Sequence, residues 1–121
     1  MIASDVINRV RSNLQDSEVG NLRFADTELL DYLNDGIREL KSRRPDLCYD
    51  GATGEFPDFT DLSLGSGGAL PLTVLKVDEM ARAVLVSYVS YRAFLRDGAD
   101  EYNAKRAAEF VTLYEKGLVN G

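Results

Sequence analysis

The chain has 121 residues, 14 Lys+Arg against 20 Asp+Glu, and a formal net charge of −6. It holds no His, no Trp and one Cys, which excludes His-based acid–base catalysis, Ser-His-Asp and Cys-His nucleophile systems, and metal sites built on His or Cys clusters. One domain spanning 1–121 is expected at this length. No intrachain disulfide can form. No apolar run approaches the roughly 20 residues of a membrane span, and Met1-Ile2-Ala3-Ser4-Asp5 does not open like a signal peptide.

The first predicted helix covers about Ser4 to Leu14. Ser4 is its expected N-cap, and Asp5 suits the positive end of the helix dipole. Val6, Ile7, Val10 and Leu14 form an apolar stripe, with Arg9 and Arg11 assigned off it. Gln15–Arg23 reads as a polar loop.

The second helix is expected to start at Asp26 as N-cap, with Phe24 and Leu30 as a hydrophobic staple. Leu29, Leu30, Leu33, Ile37 and Leu40 share one face. Asn34-Asp35-Gly36 is a turn signal in isolation, but the stripe continues in phase through it. Gly36 costs a helix about 1 kcal/mol against Ala, which predicts close packing of another element there. The helix should stop at Arg43-Arg44, because a residue preceding proline avoids the helical region.

Residues 45–75 carry five acids and no base, −5 of the net −6. They also hold all three prolines and five of the ten glycines. A connection longer than about 12–15 residues is usually functional. Phe59–Leu64 and Ala69–Leu72, separated by Gly65-Ser66-Gly67-Gly68, are compatible with a short β-hairpin.

The third helix is expected from Val77 or Asp78 to Asp97. Its apolar residues, from Met80 to Leu95, cover a wide arc, which predicts a central helix contacted on several sides. The last helix is expected from Asp100 to Lys116, ended by Gly117, with 118–121 as a free tail. The expected fold is mainly α: a small antiparallel bundle of about four helices, with a long loop or short hairpin inserted between the second and third.

Chemistry-bearing groups are few. The carboxylates Asp31, Asp35 and those of 45–75 lack EF-hand spacing and read as solvated surface. The glycine turn lacks the Lys-Ser/Thr of a phosphate loop. Cys48 has no His or CxxC partner and reads as incidental. Arg92 suits either an anion or interface contact or, the preferred reading, a reach to the surface with pairing to Asp31 or Asp35. The basic cluster Arg38, Lys41, Arg43 and Arg44 can be explained by helix C-terminal electrostatics. With a pI near 4.6, sequence-specific DNA binding is disfavoured. No enzymatic activity, cofactor or metal is expected.

The segment Phe24-Ala25-Asp26-Thr27-Glu28-Leu29-Leu30-Asp31-Tyr32-Leu33-Asn34-Asp35-Gly36-Ile37-Arg38-Glu39, with Arg44-Pro45-Asp46 beyond it, resembles the second-helix motif of the head-to-tail adaptor (connector) proteins of tailed bacteriophages. Leu70-Pro71-Leu72 followed by Ala83-Val84-Leu85-Val86-Ser87-Tyr88-Val89-Ser90-Tyr91-Arg92-Ala93 is similar to the family's third helix, and 97–108 to its fourth. Ala25 departs from the family's Thr cap, a role expected to pass to Asp26. The middle insert has no firm match.

The resemblance implies a non-enzymatic virion part at the head–tail junction, made in the host cytoplasm. Such proteins form rings, typically twelve-fold, beneath the portal protein. They extend the DNA channel and present a docking surface for a tail or nozzle protein. Genomic DNA would pass without sequence-specific binding. Asp46, Asp50, Glu55, Asp58, Asp61, Leu118, Val119 and Asn120 are then candidate assembly or channel-facing residues, since acidic groups lining a channel repel DNA. Arg38, Lys41, Arg43, Arg44 and Arg92 are candidate interface residues. The alternatives are another virion or assembly ring part, such as a tail-completion protein, and a small DNA-binding regulator that reads with its second helix.

Overall fold

A computed structural model describes residues 2–14, 24–48, 61–71, 75, 77, 81–96 and 101–120, with only the backbone of Asn120. The chain is mainly helical. Among the described residues there are four α-helices and no strand: α1 (Ala3–Leu14), α2 (Asp26–Arg43), α3 (Arg82–Arg96) and α4 (Glu101–Asn120). Helix α3 is central, packing against α1, α2 and α4, while α1 also touches α2. This is the arrangement its wide apolar arc predicts.

Helix α1 starts at Ala3, one residue earlier than expected, so Ser4 is not its cap. The Ile2 carbonyl accepts from the N–H groups of Asp5 and Val6, and the Ser4 N–H donates to the Pro71 carbonyl at 3.1 Å. The stripe Ala3, Val6, Ile7, Val10 and Leu14 is buried. Arg11 joins it at 6 % exposure, contrary to its expected place off the stripe. Its guanidinium donates to the Phe24 carbonyl at 3.0 Å and to the Asp26 carboxylate. That cation ties α1 to the start of α2.

Asp26 is therefore not the N-cap of α2. Ala25 holds that position in extended conformation, with no side-chain cap bond. Asp26 is the first helical residue, and its carboxylate serves Arg11. The far end behaves as expected: α2 stops at Arg43, and the Arg44 N–H closes on the Leu40 carbonyl at 2.7 Å. A 3-10 turn, Pro45–Cys48, follows and buries Leu47 and Cys48.

Gly36 lies inside α2, and a Cβ built there would stand 2.8 Å from Cδ1 of Tyr88 on α3. The glycine is the flat spot that lets the two helices meet. Gly36→Val is expected to destabilise the fold by about 1–3 kcal/mol through overpacking, despite removing the glycine penalty. The urea midpoint measures it; an unchanged or higher midpoint would contradict the close approach.

The expected strand pair is not formed among the described residues. The Leu62 backbone has another partner: its N–H donates to Asn34 Oδ1 at 3.0 Å, and its carbonyl accepts from Asn34 Nδ2 at 3.1 Å. An amide side chain buried on α2 thus takes the place of a neighbouring strand. The expected glycine turn is present, with Gly67 and Gly68 at positive φ and the Gly65 N–H bonded to the Ala69 carbonyl at 2.8 Å. Leu62, Leu64 and Leu70 pack against the core. The remaining strand residues, 59–60 and 72, lie outside the described ones.

Helix α3 begins at Arg82 after a 3-10 residue at Ala81, later than the expected Val77 or Asp78. Met80 and the predicted end at Asp97 lie outside the described residues. Leu95, assigned to the arc, is 50 % exposed. Helix α4 runs straight through Gly117 to Asn120, so the free tail is corrected. Leu118 is 6 % exposed within the core. A Cβ at Gly117 would lie 2.6 Å from Cγ2 of Val84, so the glycine admits α3 rather than ending α4.

Candidate functional site

The basic cluster of α2 is engaged within the chain. Arg38 pairs with Asp61. Arg43 donates to both carboxylate oxygens of Glu115 at 3.2 Å and lies 3.1 Å from Glu39. Arg44 grips Asp46 with two bonds, at 3.0 and 2.9 Å, and donates a third to the Leu118 carbonyl. The Arg44 hydrogen bonds hold the Asp46 carboxyl below the usual carboxylate range. Lys41 is half-buried. Burial pushes the Cys48 thiol up, with Lys41 opposing.

Two of the five insert acids, Asp46 and Asp61, thus have their charge offset by α2 arginines. Asp50, Glu55 and Asp58 lie outside the described residues. The tail candidates divide. Leu118 is core, Val119 is 80 % exposed, and the Asn120 side chain lies outside the described ones.

Arg92 takes the paired arrangement that the sequence favours. It stands 3.4 Å from Asp35 and donates to the Tyr88 hydroxyl at 2.6 Å. Its guanidinium also lies 5.0 Å from the Tyr32 ring and 5.7 Å from the Tyr88 ring. With Tyr114 stacked obliquely on Tyr88 at 5.1 Å, these rings make a tyrosine-rich seam joining α2, α3 and α4. It borders a recess of about 340 Å³ that also contains Arg43, Glu39 and Glu115.

The seam carries a pH signature. Burial raises the pKa of Tyr114, Tyr88 and Tyr32, with Glu39 adding for Tyr114 and Glu28 for Tyr32. A folded pKa above the unfolded value of about 10 gives stability that is full below pH 10 and is lost as pH rises beyond it. The urea midpoint should fall between about pH 8 and about pH 11. The Tyr114 hydroxyl is buried and has no hydrogen-bond partner among the described residues. Tyr114→Phe should therefore leave stability near neutral pH unchanged or raise it by up to about 1 kcal/mol, and should flatten the alkaline loss. An unchanged alkaline slope in that variant would contradict this.

A second site was not visible in the sequence. Because α1 and α4 both lie against α3, a groove of about 720 Å³ opens between them. Arg9 of α1 and Arg82 of α3 border it, with Asn8, Ser12 and Ser87 nearby. Its apolar part is Val86, Phe110 and Leu113, the last 52 % exposed. Among the described residues neither Arg9 nor Arg82 has an ion pair. Every other arginine described here does, which sets these two apart. Asp5 is the one acid among the described lining residues. The sequence signal is Arg9 off the α1 stripe; its convergence with Leu113 depends on which helices meet.

Fold and sites together define a mainly helical protein in which, among the described residues, the basic helix end is paired within the chain and a groove carries two arginines without an ion pair. The chain matches no protein-family model, and no curated protein or solved structure matches it.

Proposed function

We propose that this chain is a head-to-tail adaptor of a tailed bacteriophage, a non-enzymatic virion subunit shaped as a small antiparallel helical bundle. Copies assemble as a ring under the portal protein, typically twelve-fold, extend the DNA channel, and offer a docking surface to the tail. One observation carries the reading. The two segments that resemble the family, 24–39 and 83–93, pack directly on each other, with Tyr88 seated on Gly36. That the two resembling segments close one helix pair supports the reading.

The charge pattern supports the same role. The bases Arg38, Arg43 and Arg44 are committed to carboxylates of the same chain. That leaves little for a DNA-reading second helix, which needs bases free to meet phosphates. Asp50, Glu55 and Asp58 remain the acids with a claim to face the channel, where negative charge lets DNA slide without sticking.

Sedimentation of the chain mixed with purified portal protein tests the proposal. Co-sedimentation at a fixed ratio of chain to portal is expected. Separate migration at every ratio would count against it.

A further inference from the structure

Four described bases have no ion pair among the described residues: Arg9, Arg82, Lys105 and Lys116. Arg9 and Arg82 border the groove between α1 and α4. Lys105 and Lys116 are exposed on α4, within about 80° of Leu113 around the helix at about 100° per residue. Against them stand Asp5, the one acid among the described lining residues, and Glu109, which is paired with Arg106. This side is therefore positive in a chain of net charge −6. Leu113 is half exposed there, beside Val86 and Phe110 on the groove floor. A fitting occupant carries carboxylates and apolar side chains together.

The described helices of this chain do not present that combination. Among the described residues the exposed large apolar side chains are Leu95, Tyr102, Leu113 and Val119. Residues three and four apart share a helix face. By that spacing Leu95 stands beside Arg92, Tyr102 beside Lys105 and Arg106, and Leu113 beside Lys116 and the paired Glu109. Val119 stands beside Lys116 and a Glu115 already bonded to Arg43. None of these faces sets an unpaired carboxylate next to its exposed apolar group, which favours a different protein over a second copy.

We propose that the α1–α4 groove docks an acidic amphipathic helix of a different protein, its carboxylates meeting Arg9 and Arg82 and its apolar side chain covering Leu113. The walls and floor of the groove are helices, and among the described residues there is no strand whose edge could be extended. A helix lays apolar anchors at spacings of three and four into such a groove. Lys105 and Lys116 flank the seat and steer an acidic partner toward it. Asn8, Ser12 and Ser87 also line it and can donate hydrogen bonds to carboxylates.

A nucleic-acid backbone would satisfy the bases but leave Leu113 uncovered. Phe110, at 7 % exposure, gives unstacked bases no platform. The docking site does not depend on the adaptor reading, since it needs neither a ring nor a portal.

Panning a surface-displayed library of random peptides against the full chain tests this. The peptides are about 15 residues long, enough to fold into a helix on binding. Enriched sequences should combine Asp or Glu with Leu, Ile or Phe three or four positions apart. A labelled synthetic copy of the most enriched one is then titrated by fluorescence anisotropy. Arg9→Glu and Arg82→Glu together should weaken its binding at least about tenfold, and Leu113→Ala at least about threefold. Urea midpoints establish that each variant is folded. Arg9→Gln and Arg82→Gln replace the reversal if it unfolds the chain, with at least about a threefold loss expected.

No enrichment, enrichment of sequences without acids, or an affinity indifferent to the arginine substitutions or to Leu113→Ala overturns the proposal. So does duplex DNA that binds through Arg9 and Arg82, since the groove would then be a phosphate site. Self-association of the chain that the arginine substitutions abolish overturns it as well, since the groove would then be a contact between copies. No portal protein enters the experiment, so the docking site and the adaptor reading fail separately.

Discussion

Leu85→Ala should cost about 2–5 kcal/mol, the range for a buried leucine truncated where its surroundings cannot collapse. Leu85 is fully buried on α3, the helix that the other three contact. Its loss therefore leaves a void lined from several sides. Leu95, on the same helix and 50 % exposed, supplies the control. Leu95→Ala should stay within about 0.5 kcal/mol of the parent. Urea unfolding followed by circular dichroism gives both, read as a shift in midpoint at constant slope. Equal effects from the two leucines would refute the central placement of α3.

The second large effect concerns the end of the chain. Deleting residues 118–121 should destabilise by about 2–4 kcal/mol. Two losses combine: the buried Leu118 side chain, and the Leu118 carbonyl that accepts from Arg44. Removing the acceptor takes away one Arg44 hydrogen bond, and the Arg44–Asp46 pair is exposed and worth little. Val119→Ala at 80 % exposure should change nothing measurable. A deletion that behaves like Val119→Ala would restore 118–121 as a free tail.

The chain end shows what a sequence can and cannot carry. Leu118 stands four residues beyond Tyr114, in phase with Ala107 and Phe110, so the stripe itself continued. Gly117 looked like a stop because glycine so often follows a helix. Here it answers a tertiary need, the approach of Val84, as Gly36 answers the approach of Tyr88. Gly36 was legible because apolar residues on both sides of it stayed in phase. Gly117 had only one such residue after it.

Arg11 departs from its expected place for a related reason. It stands four residues after Ile7 and three before Leu14, on the buried face by period alone. Its charge placed it outside, yet the Phe24 carbonyl and Asp26 carboxylate make burial tolerable. That choice also displaced Asp26 from the cap. For Arg92 the sequence offers Asp31 or Asp35 as partner, and the structure selects Asp35. The α1–α4 groove was not readable, since it exists only once α3 has been shared among three neighbours.

The acidic balance also changes meaning. The −5 on 45–75 is offset at both flanks by Arg44 and Arg38, while Asp50, Glu55 and Asp58 lie outside the described residues. In the adaptor proposal these three are the channel-facing candidates.

Electron microscopy of the chain mixed with purified portal protein tests the central claim most directly. The adaptor reading predicts an added ring of density stacked coaxially on the portal, with the central channel continued through it. Portal particles without added density, at chain concentrations well above saturation for a stable complex, would contradict it.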